Sequence, residues 1–366
     1  MSVAWVGSQP VSLMDAIQNA AKLLASSRCP VFTLDTDVHG TRSAIALAER
    51  LGGAYDHALG ETLANEVSLF TDHGGMFTTP GEARRRSSLI VLVGDIPASH
   101  HDMLVTWAST QPDLGDRQQR SWFHINDSAT NSADASKLGR KLKAVSLGAE
   151  GLTLGGALAV LRAQLQERQV TSSLSNIDRL RKALTKSQFP VFVFSGASGE
   201  AASLVMLQGL IADLNRKGRA SSVFLPADDD AWGTALTSLW MTGFPPRTGF
   251  SNSLPSYDPV RWDIQRMIRD KEADLHVWMS TRGGKTPPRG GRIALISLSK
   301  DEGPTAGAAV SISVGKAGVD HDGVSYSSRV GTFRAVAASA PSLLPSLSSI
   351  VQQLAEALPG RRALPC

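Results

Sequence analysis

The residues with most scope for chemistry stand in two polar loops, each following or preceding a buried-looking apolar run. The first is Thr36-Asp37-Val38-His39-Gly40, which follows Pro30-Val31-Phe32-Thr33-Leu34-Asp35 and leads into helical sequence from Thr41 to Gly52. The second is Asp72-His73-Gly74-Gly75-Met76-Phe77-Thr78-Thr79-Pro80-Gly81-Glu82, followed by Arg84, Arg85 and Arg86 and then by the aliphatic run from Leu89 to Val93. Hydroxyls, backbone N–H groups and guanidinium groups at strand ends are the donors with which α/β proteins hold anionic, phosphate-bearing cofactors. The candidate binding residues are therefore Thr36, Asp37, His39, Thr78, Thr79, Gly81, Arg84, Arg85 and Arg86. Three adjacent arginines on a short helix point in different directions. One or two can face a pocket, and the rest serve a solvated or interfacial role.

Other chemistries find less support. Gly196-Ala197-Ser198-Gly199 sits between a strand and a helix pattern, which suits a tight turn or a phosphate-cradling one, but the full GxGxxG fingerprint is absent. Gly284-Lys285-Thr286 resembles the end of a phosphate loop, yet Met279 stands where that loop needs glycine and Pro287-Pro288 forbid the following helix. None of the eight histidines forms an HxxxH or HExxH pair. His39 with Asp37, and His73 with Asp72, could serve a metal or ligand, or simply hydrogen-bond within their loops. No serine lies in a GxSxG elbow, which disfavours the common serine hydrolases. Catalytic and metal residues are accordingly none.

The elements that would position these groups alternate strand and helix. Residues 13–25 and 43–51 carry apolar positions at helical spacing, with Gly52-Gly53 as a stop, and 30–34, 89–93 and 122–125 read as strands. A second series has helices over 152–165, 172–186 and 204–214 and strands over 189–194, 223–225, 275–279 and 293–296. Residues 228–257 read as a long loop with one helix. Residues 310–314 alternate apolar and polar, and a helix follows over 347–358. The expectation is an α/β chain of two doubly wound Rossmann-like lobes, 1–165 and 166–305, with 306–366 returning to the first lobe.

The chain has 366 residues, 42% apolar and 19% charged, and its net charge of +4 is scattered. That suits a globular protein and gives no nucleic-acid footprint. Two cysteines far apart make no disulfide framework. Neither a leader nor a membrane-length apolar run is expected, so a soluble, cytoplasmic protein is the reading.

From Cys29 to Gly94 the chain resembles the B-type subunit of the formyltransferase/hydrolase complex of methylotrophic bacteria. The segments Ser27-Arg28-Cys29-Pro30, Asp35-Thr36-Asp37-Val38-His39-Gly40, Gly74-Gly75-Met76-Phe77-Thr78-Thr79-Pro80-Gly81-Glu82 and Asp320-His321-Asp322-Gly323-Val324 carry this resemblance, which extends over nearly the whole chain. More distantly it is similar to the B-type subunit of formylmethanofuran dehydrogenase, a relative of the molybdenum- and tungsten-pterin oxidoreductases. The resemblance implies lobes related to the pterin-binding domains of formate dehydrogenase-like enzymes. A four-iron cluster needs four thiolates, and the metal-ligating Cys of the dehydrogenases would fall where Ala58-Leu59-Gly60-Glu61 stands. The implied protein thus lacks both the pterin metal and the iron–sulfur cluster. It would be a non-catalytic structural subunit, with a formyltransferase, a metal-dependent, amidohydrolase-like hydrolase and a further structural subunit as its partners. That complex would convert formyl-tetrahydromethanopterin to formate through a methanofuran-type carrier, whose polyglutamate tail the arginines could steady. The alternative is a molybdenum- or tungsten-pterin subunit that keeps redox activity.

Overall fold

The computed structural model describes residues 3–114, 119–126, 133–148, 150–196, 201–288 and 293–359, leaving aside the side chains of 72, 73, 133–135 and 201. Its strands, in chain order, begin with β1 (Ala4–Val6), β2 (Gln9–Pro10), β3 (Pro30–Asp35), β4 (Ala54–His57) and β5 (Leu89–Val93). Then come β6 (Ser121–Ile125), β7 (Val145–Ser146), β8 (Val191–Ser195), β9 (Ser221–Leu225), β10 (Thr248–Gly249) and β11 (Ser256–Tyr257). The last are β12 (Leu275–Ser280), β13 (Ala294–Ser299), β14 (Val310–Ser313), β15 (Gly323–Ser327) and β16 (Thr332–Val336). The chain folds as two compact units, one of Met1–Ala64, Asp228–Tyr326 and Phe333–Cys366, the other of Asn65–Ala227 and Ser327–Thr332.

The first unit is built on a nine-stranded mixed sheet in the order β11-β10-β4-β3-β12-β13-β14-β1-β2. Its centre, from β4 to β14, is parallel, and antiparallel strands close both edges. All six residues of β3 are buried, as a parallel strand covered on both faces requires. Helices Leu13–Ser26, Val38–Leu51 and Leu347–Ala357 cover one face through Ile17, Leu24, Ile45, Leu347 and Ile350. The register sets Asp35 beside Ser280 and Leu34 beside His57. Three polar side chains thereby reach the same end of adjacent strands.

The second unit holds a five-stranded, wholly parallel sheet in the order β7-β6-β5-β8-β9. The pleat divides β5 cleanly: Leu89, Val91 and Val93 enter one core, Ile90 and Leu92 the other. The continuous aliphatic run is what a strand packed on both faces needs.

This division differs from the expected 1–165 and 166–305. Leu89–Val93 pairs with Val191–Ser195, and Leu275–Ser280 pairs with Pro30–Asp35, so each sheet takes strands from both expected lobes. Along the chain, residues 65–227 and 327–332 interrupt the sequence of the first unit, and such long-range pairing leaves no local mark in the sequence. The strand Val310–Ser313 pairs antiparallel with Ala4–Val6 in the first unit. One local expectation changes: Val38-His39-Gly40 is the first turn of a helix rather than loop. The one helix expected in 228–257 is Asp229–Thr242, and the rest of that stretch adds the two short strands β10 and β11 at one side of the sheet. Among the described residues, no helix is long and apolar enough to cross a membrane.

Candidate functional site

In open α/β sheets the C-terminal ends of parallel strands are where ligands settle, and in the first unit these ends of β3, β4 and β12 carry a buried ionic cluster. Asp35, fully buried, accepts a 3.0 Å hydrogen bond from Ser280 Oγ on its Oδ2. Lys285 Nζ lies 3.1 Å from the same oxygen, while Arg282 Nη1 and His57 Nε2 each stand 3.8 Å from Oδ1. Arg282 is held in turn by Asp228, with 2.6 Å to each carboxylate oxygen, and by Asp230 at 3.3 Å. The Leu59 N–H donates to His57 Nδ1 at 2.9 Å, so the neutral ring carries its proton on Nε2, facing Asp35. Burial pushes the His57 pKa down to about 4 and that of Asp230 up to about 6. Asp35 Oδ1, His57 Nε2 and Lys285 Nζ are buried yet make no hydrogen bond. Buried polar atoms in that state mark a place that needs explaining by water, ligand or catalysis.

A second ionic set adjoins on β4. Asp56 accepts from the His57 N–H at 2.7 Å and pairs with Arg247 Nε at 3.3 Å, while Arg247 also reaches Glu61 at 2.9 Å and Asp263 at 3.6 Å. Burial lifts the Asp56 carboxyl to about 7 against the pull of Arg247. Arg247 holds φ at +67°, left-handed for a non-glycine residue, a conformation that surrounding structure must enforce. A Cβ at Gly60 would come within 2.4 Å of Asp56 Oδ2, so only glycine admits the carboxylate there.

The candidate residues read from sequence fall in both units. In the first, Asp37 caps helix Val38–Leu51, accepting from the N–H groups of Gly40 and His39. Thr36 is buried with its hydroxyl 3.4 Å from Asp37 Oδ1, and His39 is exposed. In the second, Thr79 caps helix Pro80–Arg86 and Thr78 donates to Glu82 at 2.8 Å. Arg85 grips Asp113 in a fork, and Arg86 pairs with Glu82 at 3.3 Å. Arg84 instead lines a cavity with Gly81 and Arg329. Of the segment 196–199, residues 197–199 lie outside the described residues, as do the side chains of Asp72 and His73. Sequence reasoning singled out none of Asp35, His57, Arg282 and Lys285 as site residues. The available signal was a polar residue closing each apolar run.

A pterin-bound molybdenum or tungsten centre finds no fit here. Cys29 is the one cysteine among the described residues, and it precedes β3. A six-residue strand spans roughly 20 Å, so its sulfur belongs to the far end from the cluster. Burial raises its pKa and keeps it a thiol. Lys285 and Arg282 already occupy the Asp35 carboxylate, and no group of three or more His, Cys, Asp or Glu among the described residues could hold a metal ion. Soft metals ask for thiolate, not ammonium-paired carboxylate.

Fold and site together define an α/β protein whose strand ends carry a buried cluster of ion-paired side chains with no thiolate among the described residues. No family model matches the chain. It is 28% identical over 349 residues, 94% of this chain and 93% of the relative, to the B-type subunit of the formyltransferase/hydrolase complex Fhc of Methylorubrum extorquens. One chain of the crystal structure of the FhcABCD complex from that organism, solved with methylofuran, superposes with a TM-score of 0.85 at 28% identity, covering 96% of this chain and 98% of that one. The B-type subunit of tungsten-containing formylmethanofuran dehydrogenase 2 of Methanocaldococcus jannaschii is 23% identical over 334 residues, 85% of this chain and 75% of the relative. The protein is a homologue of the B-type subunit of the formyltransferase/hydrolase complex, with a distant relation to the formylmethanofuran dehydrogenase subunit.

Proposed function

We propose that this chain is a non-catalytic subunit of a formyltransferase/hydrolase complex working with a methylofuran-type carrier in one-carbon metabolism. The observation that carries the reading is the chemistry of the strand ends. Similarity over 94% of the chain to the complex subunit is joined to a buried cluster where Asp35 is paired with Lys285 and Arg282 and no thiolate of the described residues stands by. In this reading the two units descend from pterin-binding, Rossmann-like lobes of formate dehydrogenase-like oxidoreductases, and the chain serves through contacts. The partners are a formyltransferase, a metal-dependent hydrolase and a further structural subunit, and the setting is the cytoplasm. Thr36, Asp37, His39, Thr78, Thr79, Gly81 and the arginines 84–86 are vestiges of anion-holding loops, and the arginine segment steadies the carrier's anionic tail.

The test is affinity purification of the tagged chain from its native cells, with identification of bound proteins and metal analysis of the separated subunit. Recovery of formyltransferase and hydrolase subunits, with no stoichiometric molybdenum or tungsten on this chain, is the expected result. Stoichiometric molybdenum or tungsten would instead establish a surviving pterin oxidoreductase.

A further inference from the structure

Among the described residues, the second unit holds positive charge that no acid pairs. Arg120, 8% exposed, spends its guanidinium entirely on backbone: Nε donates to Ser87 O at 3.0 Å, and Nη1 to the carbonyls of Thr110, at 2.9 Å, and Trp107. Nη2 donates to the carbonyl of Arg84. Among the described residues it forms no ion pair, and neither do Arg84 and Arg329. The nearby acid, Asp113, is gripped by Arg85. Burial and the neighbouring Arg84 together lower the Arg120 pKa to about 10. An uncompensated buried guanidinium is costly, and it projects a field that favours an anion beside it.

That field opens on a cavity of about 210 Å³ lined by Arg84, Arg329, Met103, Trp107 and Gly81, with no acidic residue among the described residues of its wall. Met103 and Trp107 are nearly buried, so one side is apolar, while both arginines are exposed and reachable. Arg120 ties down the carbonyls of Arg84 and Trp107, fixing the backbone under two lining residues before any ligand arrives. The volume is below that of a typical cofactor site, which runs from about 300 Å³. It admits a small group.

We propose that this cavity binds a carboxylate carried on a short aliphatic stem, the oxyanion between Arg84 and Arg329 and the stem against Trp107 and Met103. Guanidinium forks suit planar carboxylates, and the apolar wall selects against bare anions. The proposal narrows the tail-steadying role suggested above to Arg84 and adds Arg329. It rests on that reading only for the identity of the natural ligand.

The experiment is saturation-transfer NMR titration of the full-length chain with glutarate and acetate at low salt, with inorganic phosphate added as a competitor of glutarate. Glutarate is expected to bind more tightly than either of the others. Arg84→Gln and Arg329→Gln should each weaken it about five-fold, the equivalent of about 1 kcal/mol for one exposed arginine–carboxylate contact. Arg85→Gln and Arg86→Gln, whose side chains are already paired, should change it less than two-fold. The two informative substitutions lie on separate segments, so misfolding of one leaves the other to decide. Equal losses from all four variants, phosphate displacing glutarate at equal concentration, or no glutarate binding would each overturn the proposal. Purification of the native complex is scored separately. Partners recovered without glutarate binding sink this inference alone, and glutarate binding without partners sinks the complex reading alone.

Discussion

His57 Nε2 and Asp35 Oδ1 face each other across 3.8 Å, a buried donor and a buried acceptor with no hydrogen bond made by either. The distance is too long for a direct bond. What holds Asp35 in place is therefore its pairing with Lys285 and Ser280 rather than with the histidine.

Removing Lys285 should be costly because it strands that carboxylate. Breaking a fully buried ion pair costs about 3–5 kcal/mol, and the 30% exposure of the Lys285 side chain reduces this. Lys285→Met is expected to lose about 1–3 kcal/mol in urea denaturation, and Asp35→Asn in the same chain should restore part of it. A double-mutant cycle with additive losses would show that the two groups do not act as a pair.

The pH dependence of stability should be shallow, because opposite contributions share one window. Burial lowers the pKa values of His57 and His276 to about 4, so their stabilisation is full above the unfolded value and fades as pH falls through 4. Burial raises Asp56 to about 7 and Asp230 to about 6, and their contributions are greatest at low pH and fade as pH rises through those values. Substitution separates the two. Against wild type, His276→Gln should be relatively more stable at pH 4 than at pH 7, by on the order of 3 kcal/mol for a shift of that size. Asp230→Asn should gain relative to wild type above pH 6. Parallel melting curves for wild type and both variants from pH 4 to 8 would contradict the assignment.

Gly40 inside a helix follows from a contact rather than from a loop. A Cβ there would fall 2.4 Å from Thr36 Oγ1, 2.9 Å from its Cγ2 and 3.0 Å from Leu347 Cδ2. Gly40→Ala should therefore lower stability by about 1–3 kcal/mol, as overpacking does, despite alanine's better helix propensity. Thr36→Ala removes two of the three clashes and should recover much of the loss when combined with it. A neutral or stabilising Gly40→Ala would mean that Thr36 moves aside without penalty.

Gly40 also shows where sequence reading stopped. A glycine after Asp-Val-His signals a loop locally, whereas Asp37 caps a helix that begins at Val38, and the close approach of Thr36 and Leu347 is what asks for glycine in its first turn. The aliphatic run Leu89–Val93 was legible because double-faced burial dictates its composition. Its partner strands were not, since pairing of β5 with β8, or of β3 with β12, spans a hundred residues or more without local trace. The strand-end cluster suffered the same way. Asp35 and His57 each end an apolar run visibly, but their convergence on Lys285 depends on strand order. The arginine run was half readable: geometry predicted that only one or two could face a pocket, but not that Asp113 and Glu82 would claim Arg85 and Arg86.

The aromatic stretch from Trp232 to Phe250 divides between core and surface. Trp232 and Phe250 are buried, whereas Trp240 is 66% exposed against Phe333 and Phe244 is 38% exposed against Tyr257. Large exposed aromatics on a folded surface mark contact sites, and tryptophan is prominent among residues whose truncation weakens interfaces. If the chain works as part of a complex, Trp240→Ser should leave its own melting temperature nearly unchanged, since that side chain is mostly in solvent already. Affinity for the partner subunits should drop about thirty-fold, the loss that about 2 kcal/mol at an interface centre produces. Size-exclusion chromatography of the reconstituted complex and a melt of the variant alone read out the two effects separately. Full recovery of the complex with Trp240→Ser would remove this surface from the interface, and a large fall in the melting temperature would make the side chain part of the fold instead.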